Sequence, residues 1–108
     1  MSVPSENENW IIEAGDGVIR KKAKDGISTL STRERLIYCL WIADYCMRNA
    51  GDFANAPDLY PAFQQEAVFF ATELSLWFTQ ESFSLAIPAL QQQYFERFDR
   101  LCDEIKHA

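Results

Sequence analysis

A chain of 108 residues that is 48% hydrophobic, with three Trp, four Tyr and eight Phe, can build a core without disulfide or metal staples, which excludes bulk disorder. Four Gly and four Pro are too few for a turn-rich β-sandwich or barrel. A formal net charge of −6 disfavours nucleic acid as a direct partner, since binding it needs cations that displace phosphate counterions.

Residues 1–7 are polar, contain Pro4 and have no periodicity, so a frayed tail is expected there, followed by a single all-helical domain over 8–108. From Glu8 to Lys24, Trp10, Ile11, Ala14, Val18 and Ile19 recur at helical spacing. Gly15 and Gly17 sit inside that pattern, each costing about 1 kcal/mol relative to Ala. Either a neighbour packs closely against them or the segment is two short helices. Arg20, Lys21, Lys22 and Lys24 suit the negative end of the helix dipole, an explanation that outranks a phosphate site.

Ser31 and Glu34 form an S-x-x-E capping box, and Gly51 supplies a left-handed stop. Between them Leu36, Ile37, Leu40, Trp41 and Met47 lie on one side, and Tyr38, Cys39, Ile42, Tyr45 and Cys46 extend the apolar surface round the helix. A helix apolar nearly all round is central. Helix 31–50 is therefore the expected centre of a compact all-α bundle of four or five helices.

After a polar link, Pro57 and Pro61 bracket the start of a helix running from about Pro57 to Leu76. Phe63, Ala67, Phe70, Ala71 and Leu74 give it one apolar face, and Val68, Phe69 and Trp77 a second flank. Trp77–Thr79 reads as its exit, and Thr79–Ala86 as a short connecting turn or helix. Pro88 opens the last helix, with Leu90, Tyr94, Phe95, Phe98, Leu101, Cys102 and Ile105 as its apolar stripe.

No run of about eighteen apolar residues and no basic-then-apolar leader is present, so neither a membrane span nor a signal peptide is expected. Cys39, Cys46 and Cys102 are odd in number, which favours reduced thiols in a cytoplasm; as small buried hydrophobes they need no further role. The single histidine, His107, lies beside the last residue, where nothing would hold a catalytic base in position. Zinc would want paired ligands at C-x-x-C or H-x-x-x-H spacing, and a carboxylate metal site would want Glu-x-x-His pairs. No cofactor is expected. Gly15 and Gly17 form a G-x-G, but in a helical pattern without a preceding strand, so it is not a nucleotide loop.

The polar group that stands out is Asp44, Arg48, Asn49 and Asp52. Asp44 and Arg48 are spaced i, i+4 and can pair, partly buried on so apolar a helix. Asn49 and Asp52 suit a cap that locks the following segment. Charge is also uneven. Up to Arg35, six basic residues balance six acidic ones, whereas Leu36 onward carries four basic against ten acidic.

The run Leu30-Ser31, Glu34-Arg35, a helix containing Trp41, then Asn49-Ala50-Gly51 and Asp52-Phe53 resembles a bacterial helical family, that of acidic DNA-mimic proteins and their uncharacterised relatives. The resemblance covers about Leu30 to Leu76; Ala50 stands where that pattern has Gly, and Asp52 separates Gly51 from Phe53. It implies an all-α domain. In a studied member of the family, surface carboxylates occupy the DNA-binding face of a transcription regulator, but the matched motif contains none of them.

The reading that follows is a non-enzymatic protein-interaction module, a mimic, inhibitor or immunity-like protein, presenting carboxylates to a basic partner. Its candidate binding residues are Asp44, Arg48, Asn49, Asp52, Glu66, Glu73, Glu96, Asp99, Asp103 and Glu104, with Asp58 and Glu81 as further acidic positions. A self-associating homodimer is the alternative, because the aromatics exceed what one small core needs. An enzyme is third, and would need a pocket around Asp44, Arg48 and Cys39 or Cys46.

Overall fold

In the computed structural model, which describes residues 5–108, α1 spans Glu6–Asp25 and α2 spans Thr32–Ala50, with a 3-10 turn at Ile27–Thr29 between them. Then follow α3 (Ala56–Leu59), α4 (Phe63–Glu73), α5 (Trp77–Phe83) and α6 (Ile87–Lys106). Among the described residues there is no strand, and the fold is an all-α bundle. No described helix is long and apolar enough to cross a membrane.

Helix α2 is the centre, packing on α1, α4, α6 and α3. Its capping box is formed in full: the Ser31 hydroxyl accepts from Glu34 N–H, and the Glu34 carboxylate accepts from Ser31 N–H. Gly51 closes it at φ 74°, its N–H donating to Met47 C=O. Leu36, Cys39, Leu40 and Ala43 are fully buried. Leu90, Tyr94, Leu101, Cys102 and Ile105 of α6 meet them from one side. At roughly 25 cal/mol per Å² of apolar area, such burial is the main stabilising contribution.

The frayed segment expected through residue 7 is shorter where the structure describes it. Ser5 caps α1 with a second complete capping box to Glu8, and Asn7 is buried; residues 1–4 lie outside the described residues. Helix α1 is continuous through both glycines. Gly15 faces the indole of Trp41 so closely that a Cβ there would collide with the ring, whereas a Cβ at Gly17 would meet nothing within 4 Å. Gly15 is thus the close approach that lets α1 lie along α2.

Six helices replace the expected four or five because the Pro57–Leu76 segment is broken. A residue preceding proline is pushed out of the helical region, and Tyr60, before Pro61, is extended at φ −162°, ψ 89°. The chain therefore turns between α3 and α4. Helix α4 stops at Ser75, which takes the left-handed conformation at φ 58°; Ser75 N–H bonds Thr72 C=O, and Leu76 N–H bonds Ala71 C=O. This is a Schellman stop with serine in the position that favours glycine. Trp77 then begins α5 instead of ending α4.

Three aromatic residues expected inside lie largely outside: Phe69 is 58% exposed, Trp77 61% and Phe95 52%. Helix α4 packs on α2 and α5, with Val68 against the core and Phe69 left at the surface, and α6 packs on α5, α2 and α1 with Phe95 left outside.

Candidate protein-interaction surface

The Asp44–Arg48 pair is the hub of a network joining three helices. Arg48 Nε donates to both Asp44 oxygens at 3.0 and 3.1 Å, and its Nη1 reaches Glu8 of α1 at 3.0 Å. Tyr94 of α6 donates its hydroxyl to Asp44 Oδ1 at 2.7 Å. The guanidinium also lies over the rings of Phe95 and Phe98, 5.2 and 4.7 Å from their centroids. Asp44 itself is buried while the Arg48 side chain is one-third exposed. Burial pushes the Asp44 carboxyl above its ordinary range, against the pull of Tyr94 and Arg48. Asp44 is therefore a support inside the fold, a correction to its expected place among the binding residues; Arg48 alone of the pair reaches the surface.

Around Arg48 lies a surface that crosses α1, α2 and α6. The contacts Glu8–Arg48 and Gly15–Trp41 fix an antiparallel register in which Ile12 comes level with Tyr45. Ile12 is 57% exposed and Tyr45 46%, and Tyr45 stacks on Trp41 with ring centroids 5.3 Å apart. Phe95 continues the apolar surface on the far side of Arg48. Glu13 and Asp16 on α1, and Glu96 and Asp99 on α6, are exposed carboxylates of the same helices. Exposed aromatic anchors about a fixed arginine, with a charged rim, are the usual composition of a binding hot spot.

The remaining expected binding residues divide by what already holds them. Asn49 donates to Tyr45 C=O at 2.7 Å and Asp52 accepts from Ala54 N–H at 3.0 Å, so both lock the exit of α2. Glu66 is held by Arg35 at 2.9 Å and by the Tyr60 hydroxyl, and leaves the candidate surface. Glu104 leaves it too. Its carboxylate caps α5, accepting from Phe78 N–H at 3.2 Å, Thr79 N–H at 2.7 Å and the Thr79 hydroxyl at 2.6 Å. Asp99 and Asp103 accept from the buried Asn7 amide at 3.0 and 3.4 Å yet stay exposed, and Lys106 bonds the Asn7 oxygen. Glu73 and Asp58 are exposed, Glu96 is exposed beside Phe95, and Glu81 lies 3.5 Å from Arg97.

The cluster of basic residues late in α1 is explained locally. Arg20 pairs with Asp16, Lys21 with Glu34, and Lys22 lies over the Tyr38 ring. Cys39, Cys46 and Asp44 are all buried, and burial pushes the Cys39 and Cys46 thiols up, away from the thiolate a nucleophile needs.

Sequence reasoning missed Glu8 and Phe98 as partners of Arg48, and Tyr94 as the partner of Asp44. Tyr94 carried a signal, since a tyrosine on a fully apolar stripe needs a partner for its hydroxyl. Glu8 carried none before the α1–α2 register was known. No protein family, curated protein or solved structure matches this chain.

Proposed function

We propose that the protein is a non-enzymatic interaction module that docks a basic protein partner on the α1–α2–α6 surface. The observation that carries this is the exposure of Ile12 and Tyr45 on the paired helices α1 and α2, with exposed Phe95 against Arg48, on helices that also expose Glu13, Asp16, Glu96 and Asp99. The apolar side chains supply affinity by leaving water, and the carboxylates speed encounter with a cationic surface and reject acidic ones. A role as a mimic, inhibitor or immunity-like protein is one form of the same reading.

The test is capture from host lysate by the parent protein and by an Ile12→Ser/Phe95→Ser variant, at low and high salt. One stoichiometric basic protein, lost in the variant and released by salt, supports the proposal. Equal capture by both proteins, or capture indifferent to salt, contradicts it.

A second reading is favoured by the exposed apolar side chains themselves, Ile12, Tyr45 and Phe95, which the single core leaves uncovered. Such a patch can pair with its own copy about a two-fold axis. Light scattering then gives a dimer for the parent and a monomer for the variant; a monomeric parent removes this reading.

A further inference from the structure

A different flank of α6 carries a second arginine–aromatic arrangement. Arg97 and Arg100 both lie over the Phe78 ring of α5, 5.1 and 4.1 Å from its centroid. Together with Trp77, Glu81 and Glu104 they line a cleft of about 540 Å³, within the range of small-molecule sites. Trp77 is 61% exposed on its wall.

The charges in this cleft do not cancel one another in place. Arg97 is committed: Nε donates to Gln93 at 3.0 Å, Nη1 to the Ser82 hydroxyl at 3.0 Å, and Nη2 lies 3.5 Å from Glu81. Glu104 is committed to the backbone of α5 and the Thr79 hydroxyl. Arg100 is left, among the described residues, with the Phe78 ring as its contact and with no carboxylate. A guanidinium is a planar fork of N–H donors that matches a carboxylate in two parallel bonds, and stacking on Phe78 fixes the plane of that fork. The neighbouring indole offers a flat apolar wall to a ring.

We infer that the cleft between α5 and α6 binds an aromatic carboxylate, its carboxyl on Arg100 and its ring against Trp77. The chemistry is shared by a free aromatic acid and by a peptide ending in an aromatic residue. It does not depend on the α1–α2–α6 surface.

The test is titration of the full chain with benzoate, N-acetyl-phenylalanine and N-acetyl-phenylalaninamide, followed by NMR at the Trp77 indole N–H and Arg100 Nε–H. A saturable shift at both groups with benzoate or N-acetyl-phenylalanine, absent with the amide, is expected. The tighter of the two acids identifies the free or the peptide-borne source. Arg100→Gln should weaken binding at least tenfold while leaving the unfolding midpoint in place. Shifts that rise linearly and spread over the surface overturn the inference, as does undiminished binding by Arg100→Gln. Because the readout is local to α5 and α6, failure here leaves the capture experiment above unaffected.

Discussion

Arg48 and Arg100 face the same kind of neighbour and end in opposite conditions. Each lays its guanidinium over phenylalanine rings. Arg48 also meets Asp44 and Glu8, and Tyr94 closes the remaining side of Asp44. Arg100 meets no carboxylate among the described residues. The flank of α1, α2 and α6 is thus electrostatically closed and its arginine is part of the fold. The flank of α5 and α6 is open, and its arginine has donors to spare. A stacked arginine becomes structural or available according to whether an anion is already within reach, and nothing in the stacking itself decides it.

The difference can be sharpened by substitution. The largest effect belongs to the closed flank. Asp44→Ala leaves the Tyr94 hydroxyl buried without its acceptor and Arg48 with Glu8 alone, and should cost about 3 kcal/mol in denaturant unfolding. Gly15→Val forces a side chain into the Trp41 ring and should cost about 2 kcal/mol. Gly17→Ala, one turn position away with open space around it, should instead gain about 0.5–1 kcal/mol. A tolerated valine at Gly15, or a loss of stability with alanine at Gly17, would break the account of the α1–α2 seam.

On the open flank the chain carries strain that can be relieved. Ser75 holds a left-handed backbone two residues before Trp77, and Ser75→Gly should stabilise by about 1 kcal/mol without moving the Trp77–Arg100 cleft. The smallest effect is one of pH. The Ser31 N–H and then Lys21 hold Glu34 below its ordinary value of 4.5. A carboxyl with a lowered folded pKa contributes stability that is complete above the unfolded value and is lost as pH falls through the folded one. Glu34→Gln should therefore be slightly less stable than the parent at pH 7, with the gap closing below about pH 4.

Much of this fold was legible before the structure. The boundaries of α2 and the burial of most of its surface followed from a capping box, a glycine stop and helical spacing, because these signals are local. The break between α3 and α4 was also local, since Tyr60 precedes Pro61, yet the apolar periodicity on either side outweighed it. The exposure of Phe69, Trp77 and Phe95 was not legible. Helical spacing gives the face a residue shares with its neighbours, and only the set of surrounding helices determines how wide the covered face is. The Asp44–Arg48 pair was visible as an i, i+4 spacing, whereas Glu8 joined Arg48 across 40 residues of chain and Tyr94 joined Asp44 across 50. Glu66 and Glu104 looked like solvated charges because their partners, Arg35 and the start of α5, lie on other helices.

The comparison of the two arginines rests on one measurement: equilibrium unfolding of Arg48→Met and Arg100→Met beside the parent protein at pH 7. Methionine keeps much of the apolar stem over the phenylalanine rings, so the guanidinium is what each variant loses. Removing Arg48 leaves buried Asp44 with Tyr94 as its remaining partner, and a loss of about 3 kcal/mol is predicted. Removing Arg100 should change stability by less than about 0.5 kcal/mol, as for a surface position. Losses of similar size at the two positions would contradict the account.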